Sequence, residues 1–330
     1  MNTIKIPLPS SRPALGAGPF GAMIQKEMAD HLRSWRFLLL LGLLVLTCLG
    51  SMYAALSSFS SLPPSELAKM EFFFLKLFSI SDGSLPSYAI FIGFLGPLLG
   101  IALGFDAINS EHNNGTLSRL LSQPIYRDYV LHAKFLAALA ISAILIFSLT
   151  IVVSGWGLLA LGIPPGADEV LRILMFTLLT IAYISLWINL AILFSIVFRQ
   201  TSASALGSLS VWLFFSVFFN MLIDVVAKHL APKQFLSEAQ AVAFQNFVLN
   251  LLRFNPIHLF NEATNIVLMP SVRSTGALTM EQISGTLPGA LPVGQSLLMI
   301  GPQLTGLFAS TIVLFALGYF LFMRREVRSR

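Results

Sequence analysis

Six long apolar stretches alternate with polar segments along the chain. They lie at residues 36–56, 88–108, 133–161, 170–198, 203–226 and 300–323. A helix needs about 20 apolar residues to cross the roughly 30 Å hydrocarbon core of a bilayer. Lipid offers no partner for backbone hydrogen bonds, so each stretch is predicted to be a transmembrane helix. The sequence therefore predicts an all-α membrane protein with six transmembrane helices.

The residues before the first span divide into two parts. Residues 1–19 are rich in Pro, Gly and Ser, which predicts a flexible tail. From residue 20 to 35, apolar side chains recur at helical spacing, while the other face carries Gln25, Lys26, Asp30 and Arg33. This pattern predicts an amphipathic elbow helix in the membrane interface. A plain juxtamembrane anchor is the alternative.

The long segment 227–299 before the last span carries further helical patterns. Apolar side chains recur at helical spacing through 244–252 and again through 257–267. Between them, Asn255 can cap a helix whose first residue is Pro256. We therefore predict two amphipathic or re-entrant helices here, followed by an irregular segment at 270–299.

Glycines recur at four-residue spacing in the second span, at Gly96, Gly100 and Gly104. Small residues at this spacing let two helices approach closely in lipid, where van der Waals packing drives helix association. Packing within one chain is the favoured interpretation, and a contact between two copies is the alternative. Pro97 lies in the same seam and predicts a kink.

Composition supports a membrane protein and excludes other classes. Charged residues make up 11% of the chain and the mean hydropathy is +0.81, whereas a soluble domain has about 25% charged residues. The net charge of +5 does not indicate nucleic-acid binding, because the basic residues cluster beside the apolar stretches. The single cysteine, Cys48, excludes disulfides within the chain and cysteine metal clusters.

Sequence features for catalysis or ion-coupled transport are missing. No G-x-x-x-x-G-K-[ST] motif is present, so the chain has no P-loop for ATP. The five histidines are scattered and form no H-E-x-x-H motif, so no metal site is predicted. Charges deep within the spans are nearly absent, and Asp106, Arg172 and Asp224 lie near span ends, where snorkelling or end effects explain them. We therefore expect neither an enzyme nor an ion-coupled carrier.

Basic residues predict the orientation in the membrane. One group of segments, counted with the adjoining span ends, holds 13 of the 20 Lys and Arg residues. It comprises residues 1–35, 109–132, 199–202 and 324–330. The remaining segments, which include 58–87 and 227–299, hold the other seven. The positive-inside rule places the richer group, and with it both termini, in the cytosol. The expected location is the cell membrane.

A polar segment separates the second and third spans. The stretch 88–105 before it contains no charge, and after Lys134 the next charge is Asp168. The segment itself holds acidic, basic and His side chains that a short loop between two spans does not need. On the cytosolic side it indicates a surface that contacts a partner in water.

Local signals within 109–132 predict a short helix. The triplet Asn-Asn-Gly at 113–115 predicts a turn, and Thr116 can cap the helix that follows. Leucines form an apolar side of this helix, and Pro124 ends it. Such a helix suits the helix-in-groove mode of recognition. A structural loop that anchors the second and third spans is the alternative.

The run FDAINSEHNNGTLSRLLSQPIYR, followed by HAKF, resembles the signature of ABC-2-type transporter permeases. That signature reads FD-x-I-x-x-E-x-x-x-GT-L-x-x-L-L-S-x-P-I-x-R and is followed by GK-F; His132-Ala133-Lys134 departs from it in lacking the Gly. The matching residues are Phe105, Asp106, Glu111, Gly115, Thr116, Leu120, Leu121, Ser122, Pro124 and Arg127. Upstream, QKEMADHLRSWRF resembles the family's N-terminal KE-x-x-x-x-x-R-x-x-x-F elbow.

The resemblance implies an architecture and its functional residues. It implies an N-terminal interfacial elbow helix that includes Lys26, Glu27 and Arg33, six spans, and a cytosolic coupling helix between spans two and three. The residues expected to dock or couple an ATP-binding subunit are Asp106, Glu111, Gly115, Thr116, Arg119, Leu120, Leu121, Pro124 and Arg127. The nearest subgroup includes permeases associated with copper-enzyme maturation.

The resemblance also implies a function and partners. Such permeases work as dimers with two separate ATP-binding subunits. The chain would then bind no cofactor itself, and ATP and Mg²⁺ would belong to the partner subunits. We expect the transmembrane subunit of an ABC transporter with an unidentified substrate, in contact with lipid and not with nucleic acid. The alternative is a membrane anchor or mechanotransmission subunit that passes ATPase motion to an extracytoplasmic partner.

Overall fold

The computed structural model describes residues 18–60, 63, 72–81, 83–116, 126–232, 237–277 and 289–324. Within these ranges every regular element is a helix, which confirms the all-α prediction. Of the predicted flexible tail at 1–19, only the last two residues fall within the described part.

The described part of the chain contains the following helices. In chain order they are α1 (Pro19–Leu32), α2 (Trp35–Ser60), α3 (Phe73–Ser79), α4 (Tyr88–Gly104), α5 (Asn109–Asn113), α6 (Arg127–Leu161), α7 (Ala167–Val197), α8 (Thr201–Leu213), a π-helical turn (Phe214–Phe218), α9 (Phe219–Leu230), α10 (Glu238–Leu252), α11 (Pro256–Leu268), α12 (Val293–Met299) and α13 (Gly301–Arg324). The π-helical turn joins α8 and α9 into one continuous span.

Six helical stretches of the described chain are long and apolar enough to cross a bilayer, which confirms the six predicted spans. The third span is longer than predicted, because α6 begins at Arg127 and has 35 residues. At 1.5 Å per residue, α6 is about 52 Å long, well beyond a hydrocarbon core of roughly 30 Å. The ends of α6 and of α7, which has 31 residues, therefore extend outside the core.

The backbones of α4 and α7 approach each other closely. A Cβ atom added to Gly100 would lie 2.9 Å from the carbonyl oxygen of Ile184, and one added to Gly104 would lie 2.7 Å from that of Ile188. At Gly96 the added atom would meet the Ile184 side chain at 3.2 Å. The glycine seam thus packs within one chain, because only hydrogen atoms fit between the two backbones.

Pro97 lies inside α4 and leaves a backbone carbonyl without its helical donor. A proline has no N–H, so the carbonyl four residues earlier, that of Gly93, is freed. The buried hydroxyl of Tyr183 on α7 donates a hydrogen bond to this carbonyl over 3.1 Å. The proline and the tyrosine therefore reinforce the same helix contact.

Gly100→Ala is expected to destabilise the protein by about 1–3 kcal/mol, because the two helices must separate to admit the methyl group. The steric cost is partly offset by helix propensity, because Ala is favoured over Gly within a helix by about 1 kcal/mol. The matched control is Gly42→Ala in α2, where an added Cβ would meet nothing within 4 Å. Thermal unfolding in detergent should show a lower midpoint for the first variant only; equal midpoints would contradict a steric seam.

The predicted helices before the last span are present as α10 and α11. The cap at Asn255 is confirmed: its Oδ1 accepts a hydrogen bond from the backbone N–H of Ile257 over 2.9 Å, and Pro256 is the first helical residue. The structure adds that α11 is a core element, because Phe260 is fully buried and stacks on Tyr183 with ring centroids 4.3 Å apart. Interfacial or re-entrant placement in a bilayer stays a prediction.

One expectation about a segment outside the spans is wrong, and one explanation of a charge near a span end is ruled out. The segment 270–299 is not wholly irregular, since α12 occupies its end. Arg172 does not snorkel, because it is fully buried. Its guanidinium donates hydrogen bonds to the carbonyl oxygens of Val267 and Leu291 and to Ser296 Oγ. Arg172 therefore holds the end of α11 and the start of α12 against α7.

Candidate functional site

Four charged side chains from three parts of the chain meet where α1 packs against α6. The Nζ atom of Lys134 lies 2.8 Å from Glu27 Oε2 and 3.4 Å from Glu111 Oε1. The Nζ atom of Lys26 lies 3.2 Å from an oxygen of each of the same two carboxylates. We call Lys26, Glu27, Glu111 and Lys134 the charge cluster. It joins α1, α5 and α6.

Burial makes the charge cluster energetically important. The side chains of Lys134, Glu27 and Glu111 are only 5%, 11% and 12% exposed, whereas that of Lys26 is 51% exposed. Removing buried charges from water costs several kcal/mol per ion, and close pairing is needed to offset this cost. Each buried member here has at least two charged or hydrogen-bonding partners. The cluster therefore depends on all of its buried members.

Local packing brings these residues together. The ring of Phe20 on α1 contacts that of Tyr129 on α6, with centroids 5.1 Å apart, and Met23 and Met28 pack on the core. These apolar contacts turn the Glu27 side of α1 inward. Helix α1 thus carries a buried acidic residue on its inner side, which the amphipathic pattern did not reveal.

The surroundings of α1 shift the pKa of two of its side chains, Lys26 and His31. Burial by itself would lower the pKa of Lys26, but the carboxylates of Glu27 and Glu111 outweigh it and raise that pKa above its ordinary value. Burial lowers the pKa of His31, although the carboxylates of Glu27 and Asp106 oppose this shift. The charge cluster therefore favours the charged form of Lys26, and burial favours the neutral form of His31.

The turn after α4 is fixed by hydrogen bonds on both sides. Gly115 has a φ of +68°, a left-handed conformation that favours glycine. The Thr116 hydroxyl donates to Glu111, both to its backbone carbonyl over 3.2 Å and to its carboxylate. Asn113 Nδ2 donates to the carbonyl oxygen of Arg199 over 3.1 Å. The first part of the predicted coupling segment is therefore attached to the end of α7 as well as to the charge cluster.

Two further charged residues attach this face of the bundle to other spans. Arg36, at the start of α2, forms an ion pair with Asp106 at 2.6 Å and lies over the Phe105 ring. Arg127, at the start of α6, donates to the Phe322 carbonyl oxygen of α13 over 2.8 Å and lies over the same residue's ring. Both ends of the segment between the second and third spans are therefore bonded to spanning helices.

Not all predicted coupling residues can be placed. Arg119, Leu120, Leu121 and Pro124 lie outside the described residues. Arg33 is exposed at the end of α1 and joins none of these contacts in the described part. Lys134 and Arg36 were missed as site residues. The signal for Lys134 was present, since a lysine stands at that place in the family signature.

The described residues contain no group of three or more His, Cys, Asp or Glu side chains that could hold a metal ion. In the charge cluster each carboxylate is paired with lysine amines that belong to other parts of the chain or to the same helix. The arrangement therefore joins α1, α5 and α6.

Comparison with known proteins gives a consistent result. Residues 22–327 match the family described as ABC-2 family transporter protein. The chain is 28% identical over 225 residues to a protein of Pseudomonas aeruginosa described as "Probable ABC transporter permease protein NosY", covering 63% of this chain and 72% of that protein. It is also 28% identical over 212 residues to a protein of Stutzerimonas stutzeri with the same description, covering 60% of this chain and 67% of that protein.

Two observations lead to the same conclusion. The described chain has six helices that can span a membrane, and the family match covers most of the chain. The chain belongs to the ABC-2 transporter family and is a transmembrane permease subunit of an ABC transporter.

Proposed function

We propose that this permease works as a homodimer in the cytoplasmic membrane, with both termini in the cytosol and two ATP-binding subunits docked on its coupling segment at 109–132. ATP and Mg²⁺ bind in those partner subunits, and this chain supplies no catalytic group. The orientation rests on the distribution of Lys and Arg. The substrate stays unidentified.

The observation that carries this proposal is the attachment of the coupling segment at both of its ends. Glu111 ties the first end to α1 and α6, and Arg127 ties the second end to α13. A push on the segment by a closing ATPase pair would therefore reach several spans at once. Since α4 and α7 are in backbone contact, they would shift together as a rigid unit between two arrangements.

Glu111 acts in this scheme as a positioning residue. Its carboxylate is largely buried and already bound by two lysines and Thr116, so it has little surface left for a partner. The docking contact itself is assigned to the leucine-bearing part of the segment, which includes Leu120. This revises the expectation that Glu111 touches the ATPase directly.

Leu120→Asp is expected to reduce copurification of the ATP-binding subunit with the tagged permease by about tenfold or more, because it places a charge in an apolar docking groove. Asn114→Asp is the matched control, since Asn114 is exposed on the adjacent turn and gains the same charge. Permease yield and thermal stability should not change in either variant. Unchanged copurification together with unchanged ATP hydrolysis would contradict docking through this segment.

One observation favours transmission of force as a second candidate. The long helices α6 and α7 extend beyond the hydrocarbon core, and Arg172 attaches the end of α11 and the start of α12 to α7. Motion at the coupling segment would reach this outer assembly and an extracytoplasmic partner through the α4–α7 unit. ATP-dependent flux of a defined solute in proteoliposomes separates the two functions, since force transmission alone gives no flux.

A further inference from the structure

Helix α5 begins the coupling segment, and its own residues supply no side-chain cap. The residue before its first turn is Ile108, whose side chain cannot accept a hydrogen bond, whereas Ser, Thr, Asn and Asp are preferred at this position. The first backbone N–H groups of a helix have no acceptor within that helix. Ile108 and Asn109 are both fully buried, so their N–H groups need an acceptor inside the protein.

The acceptor comes from the fourth span. Near the end of α7, Ser195 Oγ accepts a hydrogen bond from the backbone N–H of Ile108 over 2.8 Å and another from that of Asn109 over 3.1 Å. Ser195 is itself fully buried. One hydroxyl of α7 therefore caps a helix that lies far from it in the sequence.

Ser195 continues the face of α7 that packs on the glycine seam. A Cβ atom added to Gly104 would lie 2.7 Å from the carbonyl oxygen of Ile188 and 2.8 Å from the Cβ atom of Ala191. Ile188, Ala191 and Ser195 follow one another at three- and four-residue spacing, and residues so spaced share one face of a helix. The same face of α7 thus contacts the end of α4 and the start of α5.

A second hydrogen bond joins α5 and α7 at the other end of α5. Asn113, the last residue of α5, donates through Nδ2 to the carbonyl oxygen of Arg199 over 3.1 Å. Arg199 lies just after α7. Because α5 is bonded to this part of the chain at its first and last residues, a displacement of α5 relative to α7 would break hydrogen bonds at both places.

The middle of α7 contacts other helices of the bundle. Thr177 Oγ1 donates to Thr150 Oγ1 of α6 over 3.3 Å, and the ring of Tyr183 stacks on that of Phe260 of α11. Together with the glycine seam, these contacts link α7 to α4, α6 and α11. A movement of α7 would therefore reach three other helices directly.

We propose that Ser195 is a positioning residue for ATP-driven coupling: by capping α5 it makes α7 move together with the coupling segment. The inference rests on the proposed docking of ATP-binding subunits at 109–132. It deepens that proposal by naming the contact through which motion of the segment enters the fourth span. Ser195 acts through the backbone of Ile108 and Asn109 and touches neither ATP nor the partner subunit.

The first measurement is hydrogen exchange in the full-length permease. Ser195→Ala removes the acceptor of two buried N–H groups, so exchange in peptides covering 105–113 should become faster by about fivefold or more. The matched control is Ser185→Ala, on the same helix. Ser185 is also buried, but its hydroxyl donates to the Ala182 carbonyl oxygen of its own helix over 2.7 Å. This control should leave exchange in 105–113 unchanged.

The second measurement uses the complex of the permease with its copurified ATP-binding subunit in phospholipid nanodiscs. Ser195→Ala should lower the stimulation of ATP hydrolysis by the permease about fivefold or more, a typical lower limit for coupling between two sites. The amount of bound ATP-binding subunit should stay the same, since the docking surface is unaltered. Ser185→Ala should stimulate hydrolysis as the unchanged protein does.

Asn113→Ala is a second variant in case Ser195→Ala does not fold, because the hydrogen bond that it removes is exposed. It should lower the stimulation in the same direction, whereas Asn114→Ala on the adjacent exposed position should not.

Three results would overturn the inference alone. These are unchanged stimulation in both Ser195→Ala and Asn113→Ala, faster exchange over the whole bundle instead of 105–113, and a loss of bound ATP-binding subunit that matches the loss of stimulation. The first would mean that α7 is not on the route, the second that Ser195 serves stability, and the third that it serves docking. If no ATP-binding subunit copurifies with the unchanged permease, the proposed function fails, and this inference fails with it.

Discussion

Lys134→Met is expected to lower the free energy of unfolding by about 3–5 kcal/mol, the usual cost of removing one partner from a buried ion pair. Lys134 is the most buried member of the charge cluster, and both Glu27 and Glu111 lie against it. Methionine fills a similar volume, so packing changes little. The loss of stability comes from the carboxylates of Glu27 and Glu111, which remain buried without the charge of Lys134. The half-exposed Lys26 would remain as their only lysine partner within the described part. Thermal or denaturant unfolding in detergent measures the effect.

The control for this prediction is Lys26→Met. Lys26 contacts the same two carboxylates, but its side chain is 51% exposed, so solvent screens its charge and the expected loss is about 1 kcal/mol or less. The double variant Lys134→Met with Glu27→Leu removes a whole pair and leaves Lys26 with Glu111. It should be more stable than Lys134→Met alone. Equal losses for both lysine variants would contradict a burial-dependent cluster.

Arg172→Met is expected to cost about 2–5 kcal/mol and to loosen the start of α12. The substitution leaves the carbonyl oxygens of Val267 and Leu291 and the Ser296 hydroxyl without their donor, and each buried unsatisfied group costs about 1–3 kcal/mol. Met retains the apolar contact with the Phe72 ring, over which the guanidinium lies at 5.7 Å. Hydrogen exchange should become faster in 289–299 and at the end of α11.

Arg273→Met is the matched control for Arg172→Met. Arg273 also contacts the start of this segment, because its Nε donates to the carbonyl oxygen of Gly289 over 3.0 Å, but this contact is exposed. Water can replace the lost donor there, so the expected change in stability is below about 1 kcal/mol. If both variants exchange at the same rate in 289–299, burial of Arg172 is not what holds that segment.

Features that depend only on residues close together in the sequence could be predicted without the structure. The six spans follow from continuous apolar length, because hydrocarbon excludes an unpaired backbone whatever the helix later packs against. The α11 cap is equally local, since Asn255 and Pro256 act within one turn of the helix that they start. The glycine seam was predicted as a close contact, yet only the structure shows that its partner is α7.

The sequence alone thus determined which segments cross the membrane, where several helices begin and, through a contiguous motif, the family. Tertiary structure alone decided the electrostatic contacts. Lys134 lies 107 positions from Glu27 and 23 from Glu111, and their meeting depends on how α1 packs on α6. Arg172 looks like a residue at a span end, but the end of α11 and residues 291–296 fold over it. Such pairings are global properties, because a buried charge is stabilised by whichever distant groups the packed helices bring within hydrogen-bond reach.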